Sequence, residues 1–354
     1  MIIDVWPVQI VGSRKTVSVL FGRAPFSRWN GCRARMAHRP AHRIWTNWFM
    51  QAGCAMWILM QPVTIPAVIF MGTADPTYHT TAPTDSLTGS GWQYEGQLGQ
   101  FLGTPIAPQY FITAKHITSS LITSGLAFAF DSANYTTTAR YDSPDSDLTI
   151  WKVDGTFSQF APLYTGNNEV GKSLVVIGRG TLRAGEVVVD GKAKGWYWGV
   201  GDGVQRWGEN TVSSIVIASN ATVNLGEMLR ANFDYGAGTD EAQLSSGDSG
   251  GAVFIQDSSD STWKLAGINY GVSGPYNLES GDGMPFNAAL YDQSGLYING
   301  DAVSGPGALY ATRISSNLDW IQSVLIPEPG AWGLAFGVAL LGFALVRRRR
   351  GARE

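Results

Sequence analysis

Residues 246–251 read SGDSGG, and residues 252–255, which follow at once, read AVFI. The first stretch is typical of a glycine-rich bend and the second of a β-strand. Ser249 therefore sits on a bend before a strand, where small neighbours let the backbone turn sharply and let a substrate carbonyl approach. The amides of Gly247 and Ser249 can point together there as an oxyanion hole. We predict Ser249 as a nucleophile, although a glycine-serine loop without chemistry would carry the same letters.

A nucleophilic serine needs a general base, and His116 is the histidine in the most suitable context. It lies at the end of an apolar, strand-like run, residues 110–117 (YFITAKHI). His79 competes poorly because it lies among threonines and prolines in a loop-like stretch. The alternative for His116 is a histidine of the core or the surface, so its role depends on a partner for its second ring nitrogen.

That partner must be a carboxylate, which fixes the imidazole tautomer and stabilises the imidazolium. Asp142, Asp145 and Asp147 are all available. Asp147 runs directly into residues 148–153 (LTIWKV), so it stands at a strand edge where it can become buried. The other two are typical of solvated loop acids. We therefore predict His116, Asp147 and Ser249 as a catalytic triad.

The order of these three residues along the chain is the order of the chymotrypsin-type triad. The segments around them resemble the trypsin-like serine protease family, at residues 113–116 (TAKH), 147–148 (DL) and 247–251 (GDSGG). Two further stretches resemble its groove-lining strand and its closing strand with a helix, at residues 265–271 (LAGINYG) and at 310–313 (YATR) leading to 319–321 (DWI). The resemblance covers residues 91–325.

This resemblance implies an all-β fold of two antiparallel six-stranded barrels with a C-terminal helix. The first barrel would span about residues 91–165, the second about 166–325, and the site would lie between them. Strand-like runs separated by turn residues fit this fold, at 126–130, 174–177, 211–218 and 252–256. Residues 187–192 (VVVDGK) predict a hairpin with an Asp-Gly turn, and residues 315–325 predict the helix.

Composition agrees with a β-rich chain. Of 354 residues, 44 % are hydrophobic, 15 % are charged and 43 are glycines, which indicates tight turns between short strands and excludes a disordered chain. Both cysteines, Cys32 and Cys54, precede residue 68, so residues 68–326 can hold neither a disulfide nor a thiolate metal site. Of the four histidines, only His79 and His116 lie in residues 68–326, so we expect no metal site there, and the predicted acyl chemistry needs no cofactor.

Charge excludes one class of partner. Residues 68–326 carry 25 acidic residues against 12 basic ones. This balance would repel a phosphate backbone, so we expect no nucleic-acid partner.

The resemblance also suggests substrate-binding residues, namely Gln243, Asn269, Tyr270 and Gly271. Gln243 stands six residues before Ser249, where family members that prefer Arg or Lys hold an aspartate, so a cationic substrate side chain finds no unit charge. Asn269 to Gly271 would offer backbone to an extended peptide. The aromatic stretch 195–208 is either a packed hairpin or a specificity loop.

Asp248 resembles the family residue that pairs with a new N-terminus after zymogen cleavage. Val68 and Ile69 would supply that terminus if the chain is cut after Ala67.

The N-terminal residues 1–67 resemble a long leader that ends in a secretory signal. Arg39 and Arg43 would form its positive region, residues 52–60 its apolar region and residues 65–67 (IPA) a weak cleavage site. A buried helix is the alternative. Met36 or Met50 could be the true start.

The C-terminal residues 327–354 carry three features in order, namely PEP at 327–329, an uncharged apolar run at 331–346 and four arginines at 347–350. The apolar run predicts a transmembrane helix, with the arginines on the cytoplasmic side. This order resembles the PEP-CTERM sorting signal of bacterial surface proteins, which implies an exosortase-type enzyme and the membrane as partners. A plain tail anchor is the alternative.

These features predict a serine endopeptidase that is exported across the inner membrane and is secreted or sorted to the cell surface, with a protein or peptide substrate. The alternative from another class is a catalytically silent protease-fold protein that binds at the cell surface or in an exopolysaccharide matrix. The complete set of triad residues argues against it. An esterase is a third possibility, since the same acyl chemistry would serve.

Overall fold

A computed structural model describes residues 9–10, 68–219, 224–281 and 283–326. They belong to the larger of two compact units, which comprises residues 1–11 and 63–354; the smaller unit, residues 12–62, lies outside the described residues. The predicted leader and signal, both cysteines and the predicted tail 327–354 with its transmembrane run 331–346 also lie outside them. In the part that is described, no helix has the length and apolar character needed to cross a membrane.

The described residues form mostly short strands with one α-helix near the end. In chain order the strands are β1 (Gln9–Ile10), β2 (Ile69–Phe70), β3 (Gly96–Leu98), β4 (Phe101–Ala107), β5 (Tyr110–Ala114), β6 (Ala127–Phe130), β7 (Ala133–Asp142), β8 (Leu148–Val153), β9 (Ser173–Gly178), β10 (Arg183–Val189), β11 (Lys192–Trp198), β12 (Arg206–Ser219), β13 (Asn224–Asn232), β14 (Ala242–Gln243), β15 (Ala252–Asp257), β16 (Thr262–Val272), β17 (Ala288–Leu290), β18 (Leu296–Ile298), β19 (Asp301–Val303) and β20 (Ala308–Arg313). The helix is α1 (Leu318–Leu325). Short 3-10 turns lie at Asp85–Leu87, Trp92–Tyr94, Lys115–Ile117 and Ser315–Asn317.

Six of these strands close into an antiparallel barrel, in the order β3-β4-β5-β8-β7-β6. Its strands are short and carry large apolar side chains that fill the interior. Phe111 and Phe128 stack with ring centroids 3.9 Å apart, and Trp151 is fully buried. The first predicted barrel is confirmed.

The strands of the second half form a seven-stranded sheet in the order β1-β12-β13-β20-β16-β15-β9. The 14-residue strand β12 pairs with β13 through residues 212–219. It also pairs with β9, the strand at the other end of this order, through residues 206–211. The two-barrel prediction therefore holds in part. Within the described residues, one closed six-stranded barrel is present, and the second module is a seven-stranded sheet in which β9 also pairs with β12 and β1 adds to an edge of β12.

Two hairpins and a short strand form a separate layer, which we call the side lobe and define as β10, β11, β17, β18 and β19. The predicted hairpin is confirmed, since Val189 pairs with Lys192 and the Asp-Gly turn has φ of +51° at Asp190 and +72° at Gly191. β11 also pairs with β17, which lies about 90 residues further along the chain. The side lobe has its own apolar core, made of Val187, Val189, Tyr276, Ala288, Leu290 and Leu296.

The predicted C-terminal helix is confirmed. It begins as the 3-10 turn Ser315–Asn317 and continues as α1. Ile321 on α1 is fully buried and joins the core cluster that contains the barrel residues Phe111 and Trp151.

Candidate active site

The end of β5 and the start of β8 bring a histidine and a carboxylate together. The two strands pair antiparallel with Ala114 opposite Leu148. His116 follows β5 in the turn Lys115–Ile117, and Asp147 directly precedes β8. Nδ1 of His116 lies 2.6 Å from Oδ2 of Asp147, and the backbone amide of His116 donates to Oδ1 at 3.1 Å. The strand register therefore holds this pair in place.

Ser249 approaches the same histidine from the seven-stranded sheet. It lies in the turn before β15, and its Oγ is 2.8 Å from Nε2 of His116. The amide of Gly250 donates to the carbonyl of Asn269 at 3.0 Å, and the amide of Asn269 donates to the carbonyl of Gly251 at 2.8 Å. These two bonds fasten the serine turn to β16.

The surroundings of the imidazole decide which ring nitrogen carries the proton. Asp147 is only 2 % exposed, and a carboxylate accepts hydrogen bonds without donating them. Nδ1 of His116 is therefore the donor, and Nε2 keeps a lone pair for the hydroxyl of Ser249. The ring of Tyr270 packs edge-on against the imidazole with centroids 5.4 Å apart. This tautomer can remove the hydroxyl proton of Ser249.

The turn that carries Ser249 leaves two backbone donors free. Among the described residues, the amides of Gly247 and Ser249 donate no hydrogen bond, whereas the amides between and after them bond to nearby carbonyls. Gly247 has φ of +99° and Gly250 has φ of +83°, values that favour glycine. A Cβ on Gly250 would lie 2.3 Å from Oγ1 of Thr113. The glycines thus permit a turn with two free donors next to the serine hydroxyl.

The carboxylate of Asp248 holds the other face of this turn. It is 1 % exposed and accepts backbone hydrogen bonds from Gly180 at 2.6 Å, from Ser245 at 2.7 Å and from Val68. Burial raises the pKa of Asp248 to about 6, and these hydrogen bonds oppose the shift. Val68 is fully buried. Cleavage after Ala67, which stays a prediction, would place an α-ammonium group beside this carboxylate.

The other candidates from the sequence, Asp142, Asp145 and His79, do not take part in the hydrogen bonds that join the three predicted triad residues. Asp142 is exposed and pairs with an arginine of its own strand at 2.7 Å, and Asp145 is also exposed. His79 is stacked between Tyr78 and Trp207, with ring centroids 4.0 and 3.6 Å away. Within the described stretches, no three His, Cys, Asp or Glu side chains are grouped so that they could hold a metal ion.

A small cavity of about 10 Å³ lies beside Ser249. It is lined by Trp198, Leu244, Ser245, Asp248, Ser249, Tyr270, Gly271 and Val272. Two of the four predicted substrate-binding residues, Tyr270 and Gly271, are therefore on its wall.

The other two predicted substrate-binding residues do not line this cavity. Gln243 is 1 % exposed and pairs with Ile69 between β14 and β2. Asn269 is fully buried, and its Nδ2 donates to the carbonyls of Ile177 at 2.8 Å and Asp248 at 3.2 Å. Both side chains support the walls of the site from inside the protein.

Four of the lining residues were not identified from the sequence, namely Trp198, Leu244, Ser245 and Val272. The one usable signal was the aromatic stretch 195–208, for which a packed hairpin and a specificity loop were both open. Trp198 has both features, since it ends the hairpin strand β11 and also lines the cavity. Leu244 and Val272 carried no signal because apolar residues beside a strand are ordinary core residues.

Comparison with known proteins gives a limited result. No protein-family model matches the chain, and no curated protein matches it. Among solved structures, it is similar to neuropsin, a serine protease expressed in the limbic system of mouse brain, with 14 % identity, a TM-score of 0.39, and coverage of 67 % of this chain and 96 % of that one. It is also similar to kallikrein-related peptidase 10, with 17 % identity, a TM-score of 0.39, and coverage of 69 % of this chain and 98 % of that one.

Proposed function

We propose that the protein is a serine endopeptidase that acts through Ser249, His116 and Asp147. One observation carries the proposal, namely the unbroken hydrogen-bond chain from Asp147 through His116 to Ser249, with heavy-atom distances of 2.6 and 2.8 Å. Three residues that are far apart in sequence converge from two separate sheets. A carboxylate, an imidazole and a hydroxyl in this order form an acid–base relay that activates a nucleophile.

Each group has a defined task in the proposed reaction. Ser249 Oγ attacks the peptide carbonyl while Nε2 of His116 takes the hydroxyl proton. The amides of Gly247 and Ser249 donate to the oxyanion, and each such donor contributes about 3 kcal/mol of barrier lowering. His116 then protonates the leaving amine, which leaves an acyl-enzyme. Water, deprotonated by the same ring, hydrolyses the ester. Asp147 stabilises the imidazolium throughout.

A free strand edge beside the nucleophile favours an extended peptide as the substrate. β16 pairs with β15 only up to Ile268, although it continues along β20 to Val272. In the described stretches, Tyr270 and Gly271 therefore have no strand partner on the β15 side. Backbone groups at such an edge can pair with an added strand. This supports a peptide over a small ester as the substrate.

The proposal is tested with a fluorophosphonate probe on the full-length protein. We expect the wild type to be labelled and Ser249→Ala to be unlabelled. Ser246→Ala is the matched control, because Ser246 lies three residues away on the same loop and is exposed. Equal labelling of wild type and Ser249→Ala would overturn the proposal. An unlabelled, non-cleaving wild type that binds exopolysaccharide would favour the silent binding protein.

We also propose that residues 1–67 direct export and that residues 327–354 are a sorting signal read by an exosortase-type enzyme. The residue order of the tail supports this, namely PEP, an apolar run and an arginine block. In the native cell, mass spectrometry of the mature protein should show a C-terminus near residues 327–329 and a start near residue 68. An intact tail in the membrane fraction would favour the plain anchor.

A further inference from the structure

The cavity beside Ser249 is small and its walls are largely apolar. Its volume of about 10 Å³ is close to the space that a single water needs. Leu244 and Val272 supply two walls and are 1 % and 4 % exposed. The indole of Trp198 supplies a third. There is room for a side chain of one or two heavy atoms.

Trp198 is held by hydrogen bonds on both sides of its backbone. It ends β11, where it pairs with Arg183 of β10, and its amide donates to the carbonyl of Asn287 at 3.2 Å. The next amide, of Gly199, donates to the carbonyl of Leu182 at 2.7 Å. The side chain of Trp198 packs against the apolar core of the second sheet. The indole is therefore a fixed wall.

The carboxylate of Asp248 and the hydroxyl of Ser245 on the cavity wall already have partners, whereas Nε1 of Trp198 has none among the described residues. The carboxylate of Asp248 accepts backbone amides, and the hydroxyl of Ser245 donates to Asp248 at 3.0 Å. Gln243 is buried outside the lining and is neutral. A long charged side chain does not fit a cavity of about 10 Å³, and the one carboxylate on its wall, that of Asp248, already accepts three backbone amides, so burying such a side chain there is strongly unfavourable.

We propose that the enzyme cleaves after small, uncharged residues, namely Gly, Ala or Ser, and that Trp198 of the side lobe sets this size limit. The inference rests on the proposed peptidase function. Ser249 and the free strand edge at Tyr270 and Gly271 line the same cavity, so the side chain next to the attacked carbonyl must enter it. The side lobe then determines which substrate side chain is accepted. The closed barrel and the seven-stranded sheet supply the residues that carry out the reaction.

The substrate profile of the wild-type full-length protein tests the size limit directly. In peptides that differ only at the residue before the cut, kcat/KM for Ala should exceed the values for Phe, Leu and Lys by at least about 100-fold, since a single misfit methylene already costs about 10–200-fold. Fluorophosphonate labelling is measured in parallel. No labelling would defeat the proposed function, whereas labelling with a preference for bulky or charged residues would defeat the size limit alone.

Variants of Trp198 identify the residue that sets the limit. We expect Trp198→Gly to raise kcat/KM for Phe at least about 10-fold relative to Ala, with probe labelling retained. Tyr197→Ala is the matched control, because Tyr197 lies on the same strand, is 36 % exposed and contacts Phe286. An unchanged Phe-to-Ala ratio in labelled Trp198→Gly would overturn the assignment. If that variant does not fold, Trp198→Leu provides a smaller opening, with the same outcomes.

Discussion

The closed barrel and the second module contribute to the site in different ways. The barrel supplies His116 and Asp147 from two strand ends that pair directly, 31 residues apart in sequence. The second module supplies Ser249 from a turn that bonds to Gly180, Asn269 and Val68, which come from three other segments. The proposed acid–base pair thus depends on one register, and the proposed nucleophile depends on several long-range contacts.

This difference separates what each region can tolerate. A register shift between β5 and β8 would move Asp147 to the other face of the barrel, so the pair is fixed by the barrel core. The serine turn is held by buried polar contacts to other segments. The side lobe contributes in a third way, because its residue Trp198 lines the cavity. We expect substitutions in the barrel to have the largest effect, on the chemistry. Substitutions at the serine turn should have a smaller effect, through the geometry of the turn, and those in the side lobe should have the smallest effect, on specificity.

The largest effect is expected at the barrel. Asp147→Asn keeps the shape of the side chain but removes the acceptor that selects the productive tautomer of His116. Turnover should fall by about 10⁴ with the fold retained. The measurement is kcat/KM together with Tm. Asp142→Asn is the control, because Asp142 is an exposed acid of the same barrel that pairs with Arg140 instead of His116. Comparable losses in the two variants would contradict the role of Asp147.

A smaller loss is expected at the serine turn. Asp248→Ala leaves the backbone donors of Gly180, Ser245 and Val68 without their acceptor. The turn should relax and misplace the two free amides, so kcat should fall by about 10²–10³. The stability loss should be about 1–3 kcal/mol for each amide left buried and unpaired. Asp260→Ala, at an exposed acid, should change neither quantity. Full activity of Asp248→Ala would show that the turn holds itself.

The sequence predicts the barrel side of the site well because its signals are local. An apolar strand that ends in His116 and a strand that follows Asp147 are both visible as short patterns. The C-terminal helix and the Asp190–Gly191 turn are visible in the same way. Each depends on neighbours within a few residues, and the structure contains all of them. That His116 and Asp147 act in catalysis is part of the proposed function.

The specificity side could not be predicted because its contacts are long-range. Nothing near Trp198 indicates that β11 pairs with β17 or that its last residue turns towards Ser249. Strand alternation also leaves open which face is buried, so the sequence does not show that the side chains of Gln243 and Asn269 lie inside the protein; their role in substrate binding stays a prediction. Their side chains support the walls, and Tyr270 and Gly271 line the cavity.

A pH-dependent effect on stability is expected from a partly buried acid directly before β3 of the barrel. Burial raises the pKa of Glu95 to about 8, which the hydrogen bond from Thr104 opposes, and Oε2 has no partner among the described residues. The unfolded chain releases this proton near pH 4.5, whereas the folded chain keeps it to about pH 8. The stability contribution of Glu95 is therefore present below about pH 4.5 and is lost as the pH rises towards 8.

Glu95→Gln stays neutral in both states and should not show this loss. Between pH 5 and pH 8, we expect the wild type to lose about 3–4 kcal/mol relative to Glu95→Gln, which corresponds to about 6–16 °C in Tm. Thermal unfolding at several pH values measures the difference. Parallel Tm curves for the two proteins would mean that Glu95 titrates as an ordinary carboxyl.

The smallest effect is expected at the hairpin turn of the side lobe. Gly191 has φ of +72°, and a Cβ added there would meet no atom within 4 Å, so Gly191→Ala costs only backbone strain of about 1 kcal/mol. Gly185→Ala is the matched control, because Gly185 lies in the same hairpin with equal space and without a positive φ. We expect Gly191→Ala to lower Tm by about 2–4 °C with kcat unchanged, and Gly185→Ala to leave both unchanged. A fall in kcat with Gly191→Ala would mean that the side lobe also positions the triad, and the separation of specificity from chemistry would then be wrong.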